Sequence, residues 1–157
     1  MRAVIIYCAG SGETAALAAR IRESLGCDSI GILEPGEGEA PSPFADSILD
    51  LGCYGAVILG FPAVGRRIPY AMESFVRSRD LSGKTLIPFI PYRGIGFRRA
   101  LSRLRRLCPG ARVALPYGSR RGRQEGFGEW LASVRSLLAD GGEKECGAAS
   151  AAREKDM

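Results

Sequence analysis

The chain has 157 residues, a formal net charge of +5 and 46% hydrophobic residues, enough for one globular domain with a real core but short for two. It contains no histidine, which excludes Ser-His-Asp and Cys-His catalysis and the zinc sites that depend on imidazole. The basic balance favours acidic or phosphorylated partners. The five scattered cysteines, odd in number and without a C-x-x-C pair, fit packed or idle thiols in a reducing, cytoplasmic setting.

The first element is AVIIY (3–7), a β-branched run typical of a strand buried on both faces. This apolar segment is too short for a secretory h-region, and no stretch is long enough to span a membrane. From Thr14 the apolar positions Leu17, Ala18, Ile21 and Leu25 keep helical spacing, and Gly26 stops the helix. SIGILEP (29–35) reads as a second strand, GEGEAPSP (36–43) as a polar loop and FADSILDLG (44–52) as a short helix. AVILGFP (56–62) is another buried strand. Pro69 suits the first turn of a helix through YAMESFVRS. KTLIPFI (84–90) is a strand, and FRRALSRLRRL (97–107) a helix with Phe97, Leu101, Leu104 and Leu107 on one face and arginines on the other. RVALPY (112–117) completes the strands, and GFGEWLASVRSLLAD (126–140) is the last helix. The small, charged tail 141–157 reads as disordered.

Five strands alternating with five helices imply an α/β domain over 1–140, with a parallel sheet covered on both faces and right-handed crossovers. Ligands of such sheets sit at the carboxyl ends of the strands. The loops that matter are therefore 8–14, 62–68, 91–96 and 117–125.

The first of these loops has three readings. Gly10-x-Gly12-x-x-Ala15 matches the dinucleotide pattern, with Glu34 where a ribose-binding carboxylate is expected. The same segment suits a phosphate, because backbone N–H groups at a helix start attract a dianion and the Ser11 and Thr14 hydroxyls add hydrogen bonds. The third reading is helix capping alone, with Ser11 as N-cap.

GAVILGFP, IPYAMESFV, DLSGKTLIPF and LCPGARV together resemble the flavodoxin family, in particular its short branch. The most specific stretches are Gly60-Phe61-Pro62, Ile68-Pro69, Leu81-Ser82-Gly83-Lys84 and Cys108-Pro109-Gly110-Ala111, and the likeness extends from the first strand to about Leu138. The resemblance implies a flavodoxin-like three-layer sandwich with a five-stranded parallel sheet in the order 2-1-3-4-5. It also implies FMN held by three loops: Ala9, Gly10, Ser11, Gly12, Glu13 and Thr14; then Pro62, Ala63, Val64 and Gly65; then Tyr92, Arg93 and Gly94. Where relatives carry a hydroxyl the chain has Ala9, and where they carry stacking aromatics it has Ala63 to Arg67. Tyr92 falls where relatives often have histidine.

The expected function is FMN binding and electron transfer, with an acidic redox partner protein or a small-molecule acceptor. Arg66, Arg67 and Arg93, with Arg120, Arg121 and Arg123, form a basic rim that would draw an acidic partner or anionic flavin. One alternative is a scaffold that has lost FMN and binds a partner or anion through this rim. A weaker one is NAD(P) binding through Gly10, Gly12 and Glu34. No side chain stands out as a general acid or base, and no metal site is expected. Nucleic acid and membrane are disfavoured, since few aromatics interleave with the arginines and the apolar face of helix 97–107 is needed by the sheet.

Overall fold

A computed structural model describes residues 1–32, 51–63, 67–94 and 96–140. Strands β1 (Ala3–Cys8), β2 (Asp28–Ile32), β3 (Ala56–Gly60) and β4 (Thr85–Tyr92) lie in the order β2-β1-β3-β4, all parallel. Two short strands, β5 (Arg112–Val113) and β6 (Tyr117–Arg120), share the fifth position, both parallel to β4. The order 2-1-3-4-5 is as expected, with its last member broken in two.

The break has a local cause. Odd-numbered residues of β4 bond toward β3, as in the hydrogen bonds Phe61 N to Phe89 O and Ala63 N to Pro91 O. Even-numbered residues therefore face the fifth position, where Ala114 N donates to Leu86 O and Arg121 N to Tyr92 O. Pro88 is even-numbered and has no N–H to offer that side. Opposite it the chain leaves the ladder: Leu115 turns into the left-handed region (φ 49), and its carbonyl accepts from Trp130 Nε1 at 2.6 Å. The single strand expected over 112–117 is thus replaced by β5 and β6, and the loop expected from residue 117 begins after Arg120.

Helices α1 (Gly12–Leu25), α2 (Tyr70–Arg77), α3 (Phe97–Leu107) and α4 (Phe127–Asp140) supply the outer layers. Strand side chains alternate between the two faces. Val4, Ile6, Val57, Leu59, Leu86 and Ile90 pack with Met72, Phe75, Leu101 and Leu104 of α2 and α3. Ile5, Ile58, Ile87 and Phe89 pack with Leu17, Ile21, Phe127, Trp130 and Val134 of α1 and α4. Both strand faces are covered, which is why the strands read as continuous apolar runs. Of the helix expected over 44–52, the described part begins at Leu51 and forms a 3-10 turn, Leu51–Cys53. Its earlier residues, Glu34 and the tail from residue 141 lie outside the described residues.

The most specific stretches of the family resemblance are scaffold. Gly83 N donates to Gly110 O at 3.0 Å, and a Cβ on Gly110 would meet Ser82 Oγ at 2.6 Å, so the two motifs lock together at the amino ends of β4 and β5. Lys84, 9% exposed, donates from Nζ to the carbonyls of Leu51 and Tyr54 at 2.7 and 2.9 Å, tying the 3-10 turn beneath the sheet.

Cys8, Cys27 and Cys108 are thiols, and Cys53 is disulfide-bonded, a pairing that the cysteine spacing did not announce. Burial pushes the Cys27 and Cys108 thiols from 9.0 up to about 11. Both hold their protons more tightly folded than unfolded. Their stabilising contribution is therefore complete below pH 9 and is lost as pH rises toward 11. Urea midpoints are expected to fall between pH 8.5 and 10.5, and the Cys27→Ala/Cys108→Ala variant should flatten that fall. An equally steep decline in the double variant would assign the alkaline loss to other groups, Tyr117 among them, whose hydroxyl burial also shifts upward.

Candidate functional site

In strand order β2 lies on one side of β1 and β3 on the other. The connections leaving β1 and β3 therefore diverge and open a crevice at their carboxyl ends. Register places Tyr7 beside Gly60 and Gly60 beside Phe89, so the loops after β1, β3 and β4 emerge together at one edge.

The first loop is short. Ala9 N donates to Ile32 O at 2.8 Å, and Ser11 N to Cys8 O at 3.3 Å. Ser11 is the N-cap of α1 with extended backbone (φ −99, ψ 117), and its Oγ accepts from Thr14 N at 3.4 Å. Thr14 is fully buried, and its hydroxyl donates to Ser11 Oγ at 2.9 Å. With Ser11 Oγ accepting twice, its own hydroxyl hydrogen remains available to a further acceptor. Thr14 thus reaches the crevice only through Ser11. The Gly12 and Glu13 N–H groups of the first turn have no intrahelical acceptor.

Gly10 and Gly12 have open space where a Cβ would stand, and neither adopts a positive φ. Nothing in the folded chain demands glycine at either position. Gly60 differs: a Cβ there would lie 2.1 Å from the Phe89 ring, so its identity is fixed by the core. Ala9, the position without a hydroxyl, is half-buried and faces β2, since a Cβ on Gly31 would meet its methyl at 2.9 Å. Glu13 is exposed, and its carboxylate turns to the loop after β6, within 3.3 Å of a Cβ on Gly122.

In the second loop Pro62 and Ala63 are half-buried, with Ala63 N held by Pro91 O at 2.9 Å. Val64, Gly65 and Arg66 lie outside the described residues, while Arg67 is exposed. In the third loop Tyr92 is half-buried and stacks on Phe97 of α3, centroids 5.4 Å apart and planes 24° from parallel. One face of the only ring proposed for the mouth is thus occupied by the protein itself. Arg93 and Gly94 are exposed.

A further loop joins the mouth. Arg121, at φ 53, donates from its backbone N to Tyr92 O at 2.7 Å and from Nε to Arg93 O at 3.3 Å. These bonds hold the arginine-bearing segment 120–123 between the third loop and Glu13 of the first. The sequence signalled this only as an arginine run, because the ties end on backbone carbonyls of a distant segment. Tyr117 does not join the mouth: it is buried at 7% exposure against Phe127 and Trp130.

The start of α1 presents N–H groups without intrahelical acceptors, and the Arg121 ties bring a cationic segment to the same edge. Among the described residues no group of His, Cys, Asp and Glu could hold a metal ion, and no helix is long and apolar enough to cross a membrane.

A family model described as flavodoxin matches residues 34–119, more than half of the chain. No curated protein matches. Three solved structures illustrate the similarity of fold. A flavodoxin from Streptococcus pneumoniae TIGR4 is 17% identical, with 90% of this chain and all of that one covered and a TM-score of 0.65. Oxidised flavodoxin 2 from Bacillus cereus is 21% identical, with 90% of this chain and 100% of that one covered and a TM-score of 0.63. A flavoprotein from Lactobacillus acidophilus NCFM, solved in complex with FMN, is 15% identical, with 82% and 97% covered and a TM-score of 0.61.

Proposed function

The chain belongs to the flavodoxin family, and from that membership we propose that it binds FMN at the mouth formed by residues 9–14, 62–65 and 92–94 and acts in electron transfer. The observation that carries this reading is the open backbone at Gly10 and Gly12, glycines that neither conformation nor packing requires. A phosphate lying against the main chain gives them a purpose.

FMN, when bound, supplies one- and two-electron transfer at its ring. The chain's own work is anchoring and placement. The Gly12 and Glu13 N–H groups donate to the phosphate, aided by the positive end of α1. Ser11 donates its remaining hydroxyl hydrogen, and Thr14 fixes the Ser11 rotamer from below. Arg93 and the 120–123 segment add positive charge at the rim.

The phosphate end of the site fits FMN better than the ring end. Tyr92 is the one aromatic residue within 9–14, 62–65 and 92–94, and Phe97 covers one of its faces. This favours a second reading, a family member that has given up its flavin and uses the same crevice for another anion.

Titration of the flavin-free protein with FMN and with riboflavin separates the two. Phosphate anchoring predicts that FMN binds at least about tenfold more tightly, a difference of about 1.4 kcal/mol. Equal affinities would remove the phosphate from the 9–14 loop, and no binding of either flavin would leave the second reading.

A further inference from the structure

Helix α3 carries five arginines in eleven residues and no acid. Arg98, Arg99, Ser102, Arg103 and Arg106 line an open cleft of about 390 Å³. Among the described residues only Glu73 of α2 answers this charge: its Oε2 lies 2.9 Å from Arg103 Nη2 and 3.1 Å from Arg77 Nη2. Arg98, Arg99 and Arg106 are exposed, and no carboxylate pairs with them among the described residues.

The arrangement works against the helix that bears it. Arg98 and Arg99 sit in the first turn, where the helix dipole is positive and acidic residues are preferred. Arg99 and Arg103 are four apart, a like-charge spacing that costs a helix a few tenths of a kcal/mol. Local stability does not explain the pattern, whereas an anionic partner would offset it.

We propose that the exposed arginine face of α3 docks an acidic protein surface beside the mouth. Arginine forks onto carboxylates with fixed geometry. Tyr70, 60% exposed, shares a face of α2 with Glu73 three residues later, and Glu73 is bonded to Arg103. An exposed tyrosine next to clustered arginines is the composition of protein-interface hot spots. A single-stranded nucleic acid needs successive stacking rings, and one tyrosine does not supply them. A membrane surface needs apolar side chains in the plane of the charges, and those of α3 are buried in the core (Ala100, Leu101 and Leu104) or packed against it (Phe97 and Leu107).

Because α3 starts just after the third loop, a partner held there is adjacent to the proposed flavin site. What the partner exchanges rests on the electron-transfer reading; the docking itself does not.

The probe is a fluorescein-labelled decaglutamate peptide, read by anisotropy with the full chain at 20 and 200 mM NaCl. Wild type is expected to bind at low salt and to weaken several-fold at high salt. Arg98→Gln/Arg99→Gln/Arg106→Gln spares the Glu73 pair and should lose at least tenfold. Arg22→Gln/Arg112→Gln/Arg135→Gln, three exposed arginines of α1, β5 and α4 with the same change in net charge, should stay within about threefold of wild type. Equal losses in both triples would make the effect one of net charge and overturn the proposal. Tighter binding of a ten-nucleotide thymidine strand, or of phosphatidylserine vesicles, would overturn the choice of a protein partner. None of these readings requires flavin, so failure of FMN binding leaves the test intact.

Discussion

Gly60→Ala is expected to destabilise the protein by about 3 kcal/mol or more, at the upper end of what overpacking a core costs. A Cβ on Gly60 would stand 2.1, 2.5 and 2.7 Å from three atoms of the Phe89 ring. That ring cannot step aside. Phe89 is fully buried between β3 and Trp130, whose ring centroid is 6.4 Å away. For a chain of this length the penalty corresponds to a fall in Tm of roughly 10 °C. Phe89→Leu in the Gly60→Ala background should recover part of the loss by vacating the contested space, although Phe89→Leu alone destabilises. Thermal or urea unfolding of the two single variants and the double variant measures the coupling. Additive losses would mean that the two residues do not compete for one volume.

Gly10→Ala/Gly12→Ala is expected to do the opposite: to leave stability unchanged or slightly raised while weakening FMN about a hundredfold, or about 2.7 kcal/mol. Neither new methyl meets a protein atom within 4 Å, and replacing glycine in the first turn of α1 removes backbone entropy from the unfolded chain. The methyls would fill the space in which a phosphate approaches the main chain. Calorimetric titration with FMN, alongside unfolding, reads both quantities. Unchanged affinity would move the phosphate elsewhere; a large loss of stability would show that the glycines serve the fold.

The contrast between these glycines marks the limit of what the letters alone could say. Gly10, Gly12 and Gly60 look alike in the sequence, and Gly60 belongs to one of the most family-specific stretches. Only packing separates a glycine that the core requires from two that it does not. The same holds for the motifs that carried the family resemblance. Leu81-Ser82-Gly83-Lys84 and Cys108-Pro109-Gly110-Ala111 made the fold legible because they join at the base of the sheet, far along the strands from the mouth. They therefore identified the scaffold and were silent about the ligand.

By itself the sequence determined the alternation of strands and helices, since buried parallel strands are continuous apolar runs and α1, α3 and α4 keep helical spacing. It also determined the absence of imidazole chemistry and the arginine excess. Local stereochemistry and composition decide those properties. The break between β5 and β6 depended on Pro88 facing the fifth position, a matter of register between strands. The engagement of Tyr92 by Phe97, the burial of Thr14 beneath Ser11 and the tethering of Arg121 to the third loop were likewise decided in three dimensions. Each joins or orients groups whose partners are set by how helices lie on the sheet, and no spacing along one segment encodes that distance.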